Sequence, residues 1–192
     1  EMCGNGLRCV VRYLRDHHVG FNRQFGVQTG SGILDVQDDG EMVQINMGLP
    51  ADEGHRTIKM GKIELRGRLV HVGNPHFVLF GQWANSDVAK LGRNIEGHPL
   101  FTEGVNVSFA TLAAPSVIEL QVWERGCGLT QACGTGACAT AYTAWRAGHS
   151  SADRLVVQLP GGSLTFERET GEITMIGSAQ EVFSGEVNPQ TL

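Results

Sequence analysis

The chain has 192 residues, 41% of them apolar and 18% charged, and a formal net charge of −5; this length holds one domain or two small ones around a real core. No Lys/Arg cluster offers a face to a nucleic acid backbone, and no apolar run approaches the roughly 20 residues of a membrane helix. Five cysteines are an odd number and lack metal-ligand spacing, which argues against a disulfide framework and against zinc. Reduced thiols in the cytoplasm, no metal and a small solute as ligand are the expectation.

The chain opens on "EMCGNGLRCVV" (1–11), where Leu7, Val10, Val11 and Leu14 follow at helical spacing. Gly20 is a plausible stop. Strand-like sequence comes next: Val43, Ile45 and Met47 alternate with polar residues, and "DDG" (38–40) reads as a hairpin turn. The turn "MGLPADEG" (47–54) is the candidate boundary between two units, 1–49 and 50–178. Ile118, Leu120 and Val122 again alternate with Glu119, Gln121 and Trp123. After "QACG" (131–134), the run "TGACATAYTAWRAG" is small and apolar nearly all round, the mark of a helix buried on every side, with Gly148 as its stop. A second hairpin is expected at "ETGE" (169–172), and a last strand at "AQEVFSGEV" (179–187) that returns to complete the first unit through 179–192.

The two helix starts are copies. Cys3 and Cys133 lie 130 positions apart (133 − 3), and Val27/Val157, Gln28/Gln158, Gly32/Gly162 and Leu34/Leu164 share that offset without a gap. "DDGEMVQINMG" then aligns with "RETGEITMIG" after one deletion. A repeat of this kind means two copies of one structural unit, each many antiparallel strands around one apolar helix. The second copy has strand-like sequence ahead of its cysteine and the first has none, so roughly 70–80 further residues are expected upstream of Glu1 by equivalence of the copies.

A Cys-Gly at a helix start places sulfur where backbone N–H groups and the dipole favour negative charge. The glycines beyond it let exposed N–H groups approach a bound carboxylate. Two such thiols facing across one cleft can remove a proton from a carbon on one side and deliver one on the other, inverting a stereocentre without a cofactor. Duplication at a fixed offset favours this reading for Cys3 and Cys133. Cys9, Cys127 and Cys138 read as structural. Alone, His76 reads as a satisfied structural histidine and Glu124-Arg125 as an ordinary solvated pair.

With "CGNGLRC", "ERGCGLTQACGTGACA", "GNPHFV" (73–78) and "GVNVSF" (104–109), the chain resembles the diaminopimelate epimerase family over essentially its whole length. The resemblance implies an α+β fold of two pseudo-symmetric, mostly antiparallel β-barrels, each wrapped around a central helix, with the first incomplete here. It implies cofactor-independent conversion of LL- to meso-diaminopimelate by two-base proton transfer, in lysine and cell-wall precursor biosynthesis. Cys3 and Cys133 are then the acid/base thiols, and Gly4, Asn5, Gly134 and Thr135 hold the carboxylate at the reacting centre. Asn74 and Asn106 bind substrate, Glu124 and Arg125 grip its distal amino acid group, and His76 and Glu124 influence catalysis from the side. Phe183 stands where some relatives carry a tyrosine at a homodimer contact, and Leu129 replaces a frequent Glu. An upstream segment would add further contacts, so residues 1–192 alone are expected to have little activity.

A proline or hydroxyproline racemase-type epimerase of the same fold is the alternative enzyme, and a non-catalytic fragment the alternative of another class. Asn5 and the Glu124-Arg125 pair favour diaminopimelate over the first. Retention of both thiols argues against the second.

Overall fold

The structure is a computed structural model in which residues 3–18, 22–30, 32–169 and 171–188 are described. Its core is a mostly antiparallel sheet with helices against it, the α+β class that the sequence implies. Helix α1 (Gly4–Asp16) leads into a meander of β1 (Gln24–Thr29), β2 (Gly32–Asp38) and β3 (Met42–Asn46). Then come β4 (Ala51–Met60), β5 (Ile63–His71) and β6 (Pro75–Phe80), helix α2 (Asn85–Glu96), and β7 (Asn106–Ala114), β8 (Val117–Glu124) and β9 (Gly128–Thr130). Helix α3 (Gly134–Arg146) is followed by β10 (Arg154–Leu159), β11 (Gly162–Glu169) and β12 (Glu172–Ser178).

Among the described residues these strands form one sheet in the order β1-β2-β3-β12-β11-β10-β8-β7-β6-β5-β4, with β9 on β8. The sheet is open: no ladder joins β1 to β4, so the pair of barrels expected from the sequence is a single curled surface here. The strand expected in 179–187 does not form; residues 179–188 have no regular structure, and 189–192 lie outside the described residues. Phe183 is 86% exposed in this stretch. The turn near residue 50 is shorter than expected, because β4 starts at Ala51 and passes a bulge between Asp52 and Gly54, the latter at φ +79°.

The ladders give the repeat a sharper form. Val36 pairs with Ile45 and Phe166 with Met175; Gln37 pairs with Gln44 and Glu167 with Thr174; every one of these positions recurs 130 residues on. No deletion interrupts the third strand of the repeat: the offset runs on through β3 and β12, and the gap suggested by matching Gly40 with Gly171 is absent. A loop residue can slide without consequence, but a slip of one in a strand would turn every buried side chain outward. The copies then pair with each other. Ile45 faces Met175, its own counterpart, while Asn46 faces Thr174 and Gln44 faces Ile176. A pseudo-twofold axis therefore passes through the Ile45–Met175 pair.

The two equivalent helices are covered unequally. Helix α3 packs against strands β5, β6, β7, β10, β11 and β12, and its Ala137, Cys138, Ala139, Ala141 and Ala144 are wholly buried. Small side chains are what let so many strands approach one helix. Helix α1 rests on β2, β3 and α3. Leu7 and Val11 are buried there, but Val10, expected on the apolar face, is 45% exposed. Gly20 lies outside the described residues, while Gly148 at φ +72° closes α3 as expected.

Helix α2 was not legible as a helix. It crosses from β6 to β7, which run parallel, and its Val88 and Ile95 join Phe77, Leu79, Val107 and Phe109 in a second core on the far side of the sheet. Strand β6 is thus covered on both faces, and His76, Phe77, Val78 and Leu79 are all buried in succession. Gly92 is dictated by this packing: a Cβ there would come within 2.6 Å of Trp123 Cβ. Gly92→Ala favours an isolated helix by roughly 1 kcal/mol, yet overpacking of about 1–3 kcal/mol opposes it. We expect net destabilisation in urea titration, and a variant more stable than the parent would mean that α2 shifts freely on the sheet.

Candidate active site

The pseudo-twofold axis brings the N-termini of α1 and α3 together. Cys3 and Cys133 are their N-caps, both with extended backbone, at φ −118° and −133°. Each sulfur accepts the N–H three residues on: Gly6 N to Cys3 Sγ and Gly136 N to Cys133 Sγ, both at 3.4 Å. Sulfur thus takes the place that serine or aspartate oxygen usually fills at a cap. Between the caps the main chains nearly touch. A Cβ on Gly134 would lie 3.6 Å from Gly4 Cα, and one on Gly4 only 2.9 Å from Met175 Cε. At Gly4 a side chain would crowd Met175, whereas at Gly134 the distances are those of ordinary contact. The first-turn N–H groups of both helices have no partner within their helix, so two positive helix ends converge on one spot, a setting for an anion.

A cleft of ≈ 260 Å3 opens there, lined by Cys3, Gly4, Asn5, Asn74, Glu124, Ala132, Cys133, Gly134 and Thr135. Eight of these nine are residues singled out in the sequence; the ninth is Ala132. A larger hollow of ≈ 530 Å3, beside Trp145 and Arg168, holds no paired thiols.

Cys133 is buried and Cys3 exposed. Burial pushes the Cys133 thiol up to about 11; the Thr135 hydroxyl and the Gly136 N–H pull it down, while the Glu124 carboxylate adds to the rise. Near neutral pH Cys133 is therefore a thiol. Glu124 is held by Thr130, whose hydroxyl donates to Oε1 at 2.5 Å.

His76 lies behind the cleft wall, fully buried. Its Nε2 is 2.9 Å from Asn74 Oδ1 and 3.0 Å from Thr135 Oγ1, and Thr135 Oγ1 is 3.5 Å from Cys133 Sγ. Burial, then the charges of His71 and Arg125, lower its pKa to about 3, so the ring is neutral. Nδ1 has no partner. The network assigns the proton to Nε2, since a bare buried ring nitrogen is less costly than an orphaned N–H. His76 then donates to Asn74 and Thr135, which leaves the Thr135 hydroxyl proton free to point at Cys133.

Asn106 and Arg125 stand apart from the cleft wall. Asn106 Nδ2 donates to Pro75 O at 2.8 Å, and its Oδ1 accepts the Arg125 backbone N–H at 3.0 Å. The Arg125 guanidinium donates to Glu103 O at 3.0 Å. One neighbour was overlooked: Arg8 donates to Asn5 Oδ1 at 3.2 Å and to Ser178 O at 3.2 Å. Asn5 in turn donates to Ala132 O at 3.4 Å, tying the two cap segments together. Its signal was its place inside "CGNGLRC", one turn beyond Asn5.

Residues 68–182 match the family model described as diaminopimelate epimerase. A protein of that description from Bacillus velezensis is 38% identical over 205 residues, 95% of this chain and 72% of the relative. Another, from Halothermothrix orenii, is 33% identical over 97% of this chain and 73% of the relative. Among solved structures, a hydroxyproline epimerase from Agrobacterium vitis superposes with a TM-score of 0.72 at 16% identity, over 92% of this chain and 64% of that one. A phenazine biosynthesis protein of the PhzF family from Bacillus anthracis gives 0.70 at 16% identity, over 92% of this chain and 73% of that one. At these identities the structural likeness concerns fold.

The contrast among the thiols is directly measurable, because alkylation requires an accessible thiolate. We expect iodoacetamide at pH 8 to label exposed Cys127 and to spare Cys138, which is wholly buried and pushed up to about 12. Labelling of Cys133 should be slow and should accelerate as pH climbs toward about 11, the thiol losing its proton as pH rises. Peptide mass spectrometry reads each site, and Cys133 reacting as fast as Cys127 at pH 8 would contradict the buried thiol.

Proposed function

The chain belongs to the diaminopimelate epimerase family, and from that membership we propose that it inverts one stereocentre of diaminopimelate between Cys3 and Cys133. The carrying observation is the pair of cysteine caps at converging helix ends in one cleft. One substrate carboxylate sits against the N–H groups of Gly4, Asn5, Gly134 and Thr135. The Cα–H bond breaks, its proton passes to the Cys3 thiolate, and its electron pair spreads into the carboxylate. Charge on those oxygens grows in the transition state, where fixed N–H donors stabilise it most. Cys133, resting as the thiol, releases its S–H proton to the opposite face of the carbon. The reverse direction exchanges the two roles.

His76 and Glu124 tune this exchange without taking the substrate proton. Neutral His76 orients Thr135 toward Cys133, and Glu124 keeps that sulfur protonated until it is needed. Asn74 on the cleft wall contacts substrate. Asn106 and Arg125 belong to the same reading, with Arg125 leaving the Glu103 carbonyl for the distal carboxylate, which its fork suits. The family reading extends to a homodimer with Phe183 at its contact, to the cytoplasm, and to halves at 1–49 and 50–178. No helix among the described residues is long and apolar enough to cross a membrane.

The test uses the full-length gene product in deuterated water without added cofactor. LL-diaminopimelate should acquire deuterium at one Cα as it is inverted, and Cys3→Ala and Cys133→Ala should each abolish inversion. A single mutant that inverts at near the parent rate would overturn the two-base mechanism. Arg125→Ala should raise KM for diaminopimelate by an amount equivalent to a few kcal/mol; an unchanged KM would remove Arg125 from the substrate.

A further inference from the structure

We propose that a second pocket, at the C-terminal end of α3 and remote from the cysteine caps, binds a small phosphate-bearing anion. The pocket has a volume of ≈ 350 Å3, and its wall includes Arg66, Arg68, Arg146, His55, His149 and Thr143. The sheet explains the clustering. On β5 the side chain of Val70 belongs to the main core, and at the next two positions on that face stand Arg68 and Arg66. His55 is paired opposite Arg68 across the β4–β5 ladder. Arg146 comes from the last turn of α3, and His149 follows it, its ring stacked on Phe80 at 4.3 Å.

The charge here is not balanced. Asp52 is the carboxylate behind the wall, and it takes two bonds from Arg68, at 2.9 and 2.5 Å, with Arg146 3.5 Å away. The Arg68 contact holds its pKa down near 2. One carboxylate thus meets two guanidinium groups, and Arg66 adds a third to the pocket wall. Arg66 and Arg146 are exposed at the mouth, and neither donates a hydrogen bond to another side chain among the described residues.

A buried hydroxyl supplies the second, independent sign. Thr143 is 3% exposed and its Oγ1 has no partner. Buried helical threonines usually bond back to the carbonyl four residues earlier, as Thr140 does to Gly136 O at 2.8 Å. Thr143 does not, although it lines this pocket. The carbonyl end of α3 would repel an anion, but three of its last carbonyls carry donors: Ala147 N to Thr143 O and His149 N to Ala144 O, both at 2.9 Å, and Gly148 N to Trp145 O at 3.2 Å.

Donors reach the pocket from β5, from the flank of α3 and from the segment after it. Convergence from three sides suits a tetrahedral phosphate, which accepts in all directions, better than a planar carboxylate. The test is isothermal titration of the full-length gene product with pyrophosphate at fixed ionic strength, with malonate as the carboxylate comparison. We expect one site per chain, weaker binding of malonate, and affinity lowered about tenfold in each of Thr143→Val and Arg66→Ser, the loss expected for one hydrogen bond to a charged group. Valine is nearly isosteric with threonine and Arg66 is exposed, so both variants should fold. No pyrophosphate binding by the parent, equal affinity for malonate, or parent-like affinity in either variant would overturn the proposal.

Discussion

The contact between Gly4 and Gly134 is the constraint on which the rest depends. Each is the first residue of its helix and each is the other's repeat counterpart; a methyl group on Gly4 would press on Met175, while one on Gly134 would sit at ordinary contact distance from Gly4 and Met175. Below them, β3 and β12 pair with Ile45 opposite Met175, so the sheet and the helices share one axis. Met175 is fully buried and fills the space under both helix ends; its unbranched, pliable side chain suits an irregular gap between two near-equivalent surfaces. Were the register of β3 on β12 to slip by one, the axis would leave the glycines and the caps would no longer face a common cleft.

Two helix ends pointing at one spot repel each other, so the arrangement is unfavourable while the cleft is empty of negative charge. That cost is what makes it a place for a carboxylate. The same field acts on the sulfurs, which accept N–H bonds as a thiolate would. Burial opposes it at Cys133 and wins, holding that thiol at about 11. Symmetry therefore sets the position of the two sulfurs, while burial sets the protonation of Cys133.

Much of this was legible because it depends on spacing. The offset of 130 between Cys3 and Cys133 is a property of the string, and glycines beside them signal close approach of main chain. Six of the cleft residues, Cys3, Gly4, Asn5, Cys133, Gly134 and Thr135, belong to the duplicated motif, while Asn74 and Glu124 were expected from the family resemblance. Other features depend on partners distant in sequence. Helix α2 carries no side-chain cap at Ala84, and Gly92 weakens its helical signal, because what fixes it is Trp123 on the neighbouring strand. Glu124 and Arg125 read as a pair in sequence, but β8 ends at Glu124 and Arg125 begins the turn after it, so Glu124 lines the cleft while the Arg125 guanidinium donates to the Glu103 carbonyl. The single-residue gap expected in the hairpin is absent because the ladder fixes the buried strand positions, and only the turn glycines, Gly40 and Gly171, depart from the offset.

The repeat also shows where the copies had to part. At equivalent positions Asn5 stands against Thr135 and Arg8 against Cys138. In the second copy the wall behind the cap is built from β6, whose His76 is buried neutral and serves Thr135. In the first copy the corresponding support comes from within α1 itself, where Arg8 holds Asn5 and reaches back to Ser178 at the end of β12. On the proposed mechanism one sulfur takes a proton while the other gives it. Two identical copies would leave that difference to chance. Divergence at the residues just beyond each cysteine, with the cysteines and glycines kept, gives a cleft whose sulfurs are symmetrical in position and unequal in burial.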